Sequence, residues 1–256
     1  MASQPQFIDV AGVAIAVRRR EGRAPGLVWL GGYRSDMLGT KARALDEWAE
    51  RNGHACLRHD YSGHGESGGR FEDGTISLWL EQSLAVFRRF TSGPQILVGS
   101  SMGAWIALRM IQELRKAGEG ERVAGLILLA PAPDFTIELM EPHLTVAQRQ
   151  EIEEKGFFSE PSDYSAEPNV YTRALIEDGR RNRVLEGIVE TGCPVHILQG
   201  MEDPDVPYAH AEKLLRHLPV CDVTLSLIRD GDHRLSRPQD IALILRSVEG
   251  MVALAG

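Results

Sequence analysis

Strand-length apolar blocks alternate with amphipathic, helix-period segments along most of this chain. Phe7-Ile8-Asp9-Val10 and Val13-Ala14-Ile15-Ala16-Val17 flank Ala11-Gly12, which predicts an N-terminal β-hairpin. After an expected turn at Pro25-Gly26, Leu27-Val28-Trp29-Leu30 is continuously apolar, as a strand buried on both faces of a parallel sheet must be. The pattern continues with a helix from Thr40 to Asn52 closed by Gly53, a strand His54-Ala55-Cys56-Leu57-Arg58, a glycine-rich loop from Asp60 to Gly68, and a helix from Ile76 to Phe90.

Further along, a strand is expected from Gln95 into the turn that begins at Gly99, and others at Val123 to Ala130, Pro194 to Leu198 and Val223 to Ile228, with helices at Met102 to Leu114, Ala209 to His217 and Pro238 to Ala253. Such alternation implies right-handed βαβ crossovers and a mostly parallel central sheet flanked by helices, an α/β architecture. The rhythm breaks between residues 134 and 192. There Thr145 to Lys155 and Tyr171 to Gly187 are charged and helix-period, Ser159 to Tyr164 is turn-rich, and no strand is expected. A helical lid inserted into one domain spanning residues 1–256 fits that break, because α/β sheets bind ligands at their strand ends.

The stretch Gln95-Ile96-Leu97-Val98-Gly99-Ser100-Ser101-Met102-Gly103-Ala104-Trp105 is a strand entering a Gly-x-Ser-x-Gly turn and then a helix. This is the nucleophile-elbow pattern. A serine on a tight strand-to-helix turn projects its hydroxyl from the sheet, and side chains two residues either side would collide; Gly99 and Gly103 remove them.

Composition narrows the chemistry. The 256-residue chain has a formal charge of −8 and 43 % hydrophobic residues, so nothing draws it to a phosphate backbone and nucleic acid is not an expected partner. No apolar run reaches membrane-spanning length, and Met1 to Gln6 carries no export signal, so a cytoplasmic location is expected. Cys56, Cys193 and Cys221 lie far apart at or beside predicted strands and read as buried free thiols. The Gly63 to Gly69 run lacks the Gly-Lys-Ser/Thr ending of a phosphate loop, and no metal-ligand spacing occurs, so neither cofactor nor metal is expected.

An elbow serine needs a general base, itself held by an acid, and in α/β-hydrolases these follow in the order Ser, acid, His. Of the eight histidines, only His210, His217 and His233 follow an acid-bearing loop at the next strand end, and only His233 sits on a loop directly after a core strand. The acid loop offers Glu202, Asp203 and Asp205. Asp203 is favoured over Asp205, and Asp232 lies too close to His233 in sequence to orient its ring. Oxyanion donors are expected from the Met102 N–H and from the loop Gly31-Gly32-Tyr33, with Tyr33 preferred to Gly32. His64 is the one other histidine whose loop could approach the site.

Residues Gly32 to Ala42, Gly53 to Gly63, Gly93 to Gly103, Lys155-Gly156, Pro161-Ser162-Asp163-Tyr164-Ser165 and Asp232-His233-Arg234 resemble the acyl-protein thioesterase and acyl-glucuronide esterase group called α/β-hydrolase domain-containing protein 10. The resemblance covers most of the chain and implies an α/β-hydrolase fold, with Ser101 as nucleophile, Asp203 as acid and His233 as base. It further implies cleavage of thioesters or esters on small molecules or acylated proteins. Members known from animals are mitochondrial; here no transit segment precedes Phe7, which points to a bacterial relative or a mature chain. Carbon–carbon bond hydrolysis by the same residues, or ligand reception without turnover on the same fold, are the rival expectations.

Overall fold

The computed structural model describes residues 4–162, 168–220 and 222–255. Among them, the expected hairpin forms β1 (Gln6–Val10) and β2 (Val13–Arg20), followed by β3 (Arg23–Leu30), α1 (Thr40–Asn52), β4 (His54–His59), α2 (Ile76–Phe90), β5 (Gln95–Ser100), α3 (Met102–Lys116) and β6 (Val123–Leu129). After the insertion come β9 (Val195–Gly200), α6 (Tyr208–Arg216), β10 (Val223–Ile228) and α7 (Pro238–Ala255). These strands form one sheet in the order β1-β2-β4-β3-β5-β6-β9-β10. The pairs β1–β2 and β2–β4 are antiparallel and all the others parallel.

Side-chain alternation divides the core into two layers. Val28, Leu30, Leu97 and Leu126 pack with Trp79 and Phe87 of α2, Trp105 of α3 and Leu214 of α6. Leu27, Trp29, Ile96 and Ile127 face the other way, against Leu45 and Trp48 of α1 and Ile244 and Val248 of α7. The chain leaves β3 by α1 to reach β4 on one side, then returns by α2 to β5 on the other. That reversal leaves a crevice at the C-terminal ends of β3 and β5, where Gly31-Gly32-Tyr33 and Ser101 lie.

The Pro25-Gly26 pair, expected as a turn, lies inside β3, where the register against β4 shifts between Arg23 and Leu27. A bulge absorbs the proline within the strand instead of ending it.

The 134–192 insertion departs further from expectation. It holds α4 (Val146–Lys155), but also a two-stranded antiparallel sheet of β7 (Phe157–Glu160) and β8 (Asn169–Thr172), before α5 (Arg173–Arg181). The expected helix from Tyr171 to Gly187 begins later because Thr172 caps α5, its Oγ1 accepting from Leu175 N at 3.1 Å, and it ends earlier, at Arg181. β7 alternates exposed Phe157 with buried Phe158, a period too short to read against its turn-rich surroundings. Part of the Pro161 to Ser165 stretch, and Cys221, lie outside the described residues. Cys56 is buried and Cys193 half-buried, both free, with burial pushing each thiol up to about 12.

Two buried carboxylates fix the base of the insertion. Asp178 accepts from Ser77 N and Oγ of α2 at 2.7 and 2.8 Å, and Asp134 accepts from the backbone N–H groups of Val184 and Leu185, each at 2.9 Å. No residue of α4 is buried, so that helix stands outermost.

Candidate active site

Ser101 occupies the turn between β5 and α3 at φ 54°, ψ −118°, a conformation non-glycine residues avoid and which only a tightly built surround maintains. That surround is visible at both elbow glycines. A Cβ on Gly99 would lie 2.5 Å from the Gly103 carbonyl oxygen, and one on Gly103 would lie 2.1 Å from that of Leu30. Backbone replaces side chain at both points, so α3 seats directly on the end of β3.

Seated this way, Ser101 meets two residues from distant loops. His233 Nε2 is 3.0 Å from Ser101 Oγ, and His233 Nδ1 is 2.8 Å from Asp203 Oδ2. With Nδ1–H donating to the carboxylate, Nε2 carries the lone pair that accepts the serine proton. Asp203 is held in turn: Oδ1 accepts from Asp205 N at 2.9 Å and Val206 N at 2.8 Å, and Oδ2 from Gln199 Nε2 at 3.1 Å. Its side chain is wholly buried. Asp205 supports Asp203 through its backbone N–H. Asp232 accepts from Leu235 N at 3.0 Å and shapes the turn beyond His233.

Asp203, Asp205 and His233 also offer ligand atoms within 4.8 Å of one another, as a cation site would. Both oxygens of Asp203 are already engaged by N–H donors and Nε2 of His233 faces Ser101, so the donor set is committed to hydrogen bonding.

The loop after β3 closes over the serine. A Cβ on Gly32 would lie 3.3 Å from both Ser100 O and Ser101 Cβ, and Tyr33, next in the chain, lines the same pocket as Ser101 and Met102. Met102 opens α3, where the first-turn N–H groups lack intrahelical acceptors and carry the positive end of the helix dipole. Both expected oxyanion donors thus stand at the crevice.

Above Ser101 is a pocket of about 520 Å³. Phe135, Leu139, Met140, Leu144, Phe158 and Tyr171, all from the insertion, form an apolar wall interrupted by Gln148, Glu160 and Asn169, and Arg34, Lys41, Arg234 and Ser236 add further polar lining. Lys41 Nζ donates to the Arg234 carbonyl, tying the loop of His233 to α1. Burial, reinforced by the Arg234 guanidinium, lowers the Lys41 ammonium to about 8.

Several contributors escaped the sequence reading. Gln199, expected in the loop after a strand ending at Leu198, lies inside β9 with a buried amide. Tyr171, in a segment expected to be helical, lies in β8. His210 and His217 bond to the backbone carbonyls of Pro133 and Gly187, at 2.8 and 2.9 Å, and take no part in the crevice.

This architecture and crevice define the α/β-hydrolases, and the sequence agrees: the profile of the alpha/beta hydrolase family matches residues 24–242, so the chain belongs to that family. It is 35 % identical over 240 residues to the human palmitoyl-protein thioesterase ABHD10, mitochondrial, covering 93 % of this chain and 76 % of that protein. Among solved structures, mouse α/β hydrolase domain-containing protein 10 superposes with a TM-score of 0.89 at 31 % identity, covering 99 % of this chain and 100 % of that one. A chain from Agrobacterium vitis S4 described only as a hydrolase reaches 0.93 at 55 % identity, covering 97 % and 98 %. Among the described residues no helix is long and apolar enough to cross a membrane.

Proposed function

We propose that the protein is a serine hydrolase of acyl thioesters and esters, and that residues 134–192 act as the lid over its acyl pocket. The observation that carries this reading is the unbroken line from Ser101 Oγ through His233 to Asp203 on a strained turn at the pocket floor. Ser101 Oγ attacks the acyl carbonyl while His233 Nε2 takes its proton, and the tetrahedral oxyanion accepts from the N–H groups of Tyr33 and Met102. Collapse expels the thiol or alcohol, which leaves with the proton from His233. Water, deprotonated by the same nitrogen, then attacks the acyl-enzyme; the acid departs and Ser101 regains its proton. Asp203 keeps the imidazole in the required tautomer and stabilises its charged form.

The apolar wall supports a long acyl chain, carried on a small molecule or a protein. Each methylene withdrawn from water contributes about 0.8 kcal/mol. The names of the human and mouse relatives favour the same class, since ABHD10 is called a palmitoyl-protein thioesterase.

The test is labelling of the purified protein with a fluorophosphonate, read by intact mass and peptide mapping, beside His233→Ala and a panel of acyl thioesters. A single adduct at Ser101 that disappears in the variant, with rates rising from acetyl to palmitoyl, is expected. An unlabelled, folded wild type overturns the nucleophile assignment; equal rates across the panel overturn the acyl pocket.

A further inference from the structure

The glycine-rich loop from Asp60 to Gly68 has no part in the chemistry above, yet it grips the loop that carries Tyr33 at three points. Tyr61 OH donates to the Gly31 carbonyl at 3.2 Å, Arg34 N–H donates to His64 Nε2 at 3.2 Å, and Met37 N–H donates to Asp60 Oδ1 at 2.7 Å. The glycines make the grip possible. Gly63 and Gly65 take φ of 72° and 46°, and a Cβ there would lie 2.4 Å from Phe71 Cα and 2.2 Å from Asp60 Oδ2.

The middle contact bears on the site directly. Arg34 has φ 53°, left-handed for a residue with a side chain, and it immediately follows Tyr33. Its N–H belongs to the same peptide plane as the Tyr33 carbonyl, so the bond to His64 fixes the rotation of the chain at Tyr33. The acceptor is itself locked. His64 Nδ1 donates to the Ser62 carbonyl at 3.1 Å, which leaves Nε2 as the unprotonated nitrogen. The ring is buried between Tyr61, Phe71 and Trp79, with centroids at 5.5, 5.1 and 5.2 Å. Burial lowers its pKa to about 4, which keeps Nε2 an acceptor at neutral pH.

We infer that His64 is a positioning residue: its Nε2, by holding the left-handed Arg34 peptide, aims the Tyr33 N–H at the oxyanion. This rests on the proposed role of Tyr33. A hole donor contributes roughly 100- to 1000-fold and tolerates little misplacement, so a released loop forfeits part of that factor.

The experiment compares wild type, His64→Gln, whose Oε1 can accept from Arg34 N–H, and His64→Leu, which cannot. His64→Asn, too short to reach, replaces the leucine variant if that one does not fold. The readouts are kcat and KM on an acyl p-nitrophenyl ester, the inhibition constant of a trifluoromethyl ketone, and hydrogen exchange at the Arg34 amide. In His64→Leu kcat is expected to fall about 10- to 100-fold with KM within about twofold, ketone affinity to fall by the same factor, and the Arg34 amide to lose protection. His64→Gln is expected to recover most of each. An unchanged kcat in a folded His64→Leu, or a glutamine variant no better than the leucine one, overturns the inference. Ser101→Ala, run alongside, separates the two readings: if it retains full turnover, the site assignment itself has failed, whereas exchange at Arg34 still reports on the His64 bond.

Discussion

The rings of Tyr33 and Tyr171 stack with centroids 5.3 Å apart and planes 8° from parallel. The Tyr33 hydroxyl also donates to the Val170 carbonyl in β8. One residue of the β3 loop is therefore bonded through its side chain to the hairpin of the insertion, while it lines the same pocket as Ser101. Aromatic pairs contribute about 0.5–1.5 kcal/mol beyond their buried area, so Tyr171→Ala should loosen this clasp without unfolding the sheet. Hydrogen exchange in β7 and β8 is expected to rise by roughly tenfold, and the palmitoyl-to-acetyl rate ratio to fall. Unchanged exchange in β7 and β8 would show that the stack does not hold the hairpin.

Asp203 and Asp205 are separated by a single residue and differ sharply in what they touch. Asp203 accepts from His233 Nδ1 and from two backbone N–H groups, whereas Asp205 supplies one of those groups. Asp203→Asn is expected to cost about ten-thousand-fold in kcat, because an amide favours the wrong imidazole tautomer. Asp205→Asn leaves its own N–H in place and is expected to lose less than about tenfold. Steady-state rates on an acyl p-nitrophenyl ester distinguish the two. A severe loss in Asp205→Asn with a mild one in Asp203→Asn would reverse the assignment.

What the sequence disclosed follows the range of the interactions concerned. Gly99 and Gly103 were readable because their function is steric and local, and the close approaches of the Gly103 and Leu30 carbonyls are of that kind. The parallel sheet was readable because the middle of β5, Ile96 to Val98, and the whole of β6 are apolar. Asp203 stood out by its place in a strand-end loop. The failures are tertiary. Pro25-Gly26 looks like a turn until β4 and β5 flank it on either side, and the short β7 and β8 exist by pairing with each other. Tyr171 matters only because Tyr33 lies across from it; His64 stood out by its glycine-rich loop, but its partner, the left-handed Arg34 peptide, is tertiary.

His59 provides a test of the buried core that is independent of activity. Its Nε2 is 3.1 Å from Ser83 Oγ, and that hydroxyl donates to the Trp79 carbonyl at 2.7 Å, so His59 Nε2 must be the protonated nitrogen. Nδ1 has no partner among the described residues, so a second proton there would be buried and unsatisfied. Burial accordingly lowers His59 to about 4, from an ordinary value of 6.5. Between those limits the unfolded chain binds a proton that the folded one refuses. Stability contributed by neutral His59 is therefore complete above pH 6.5, declines by about 1.4 kcal/mol per unit as the pH falls, and levels below about 4. Asp60 works in the opposite sense, since burial raises it to about 6 and its protonation favours the folded state as the pH falls. The two are separated by His59→Gln, which keeps an N–H for Ser83 but does not titrate. Urea unfolding from pH 4 to 7 should give a flatter curve for the variant than for wild type, the two diverging by about one proton's slope. Parallel curves would mean that His59 takes up its proton as readily in the folded protein as in the unfolded chain, and that burial does not keep it neutral.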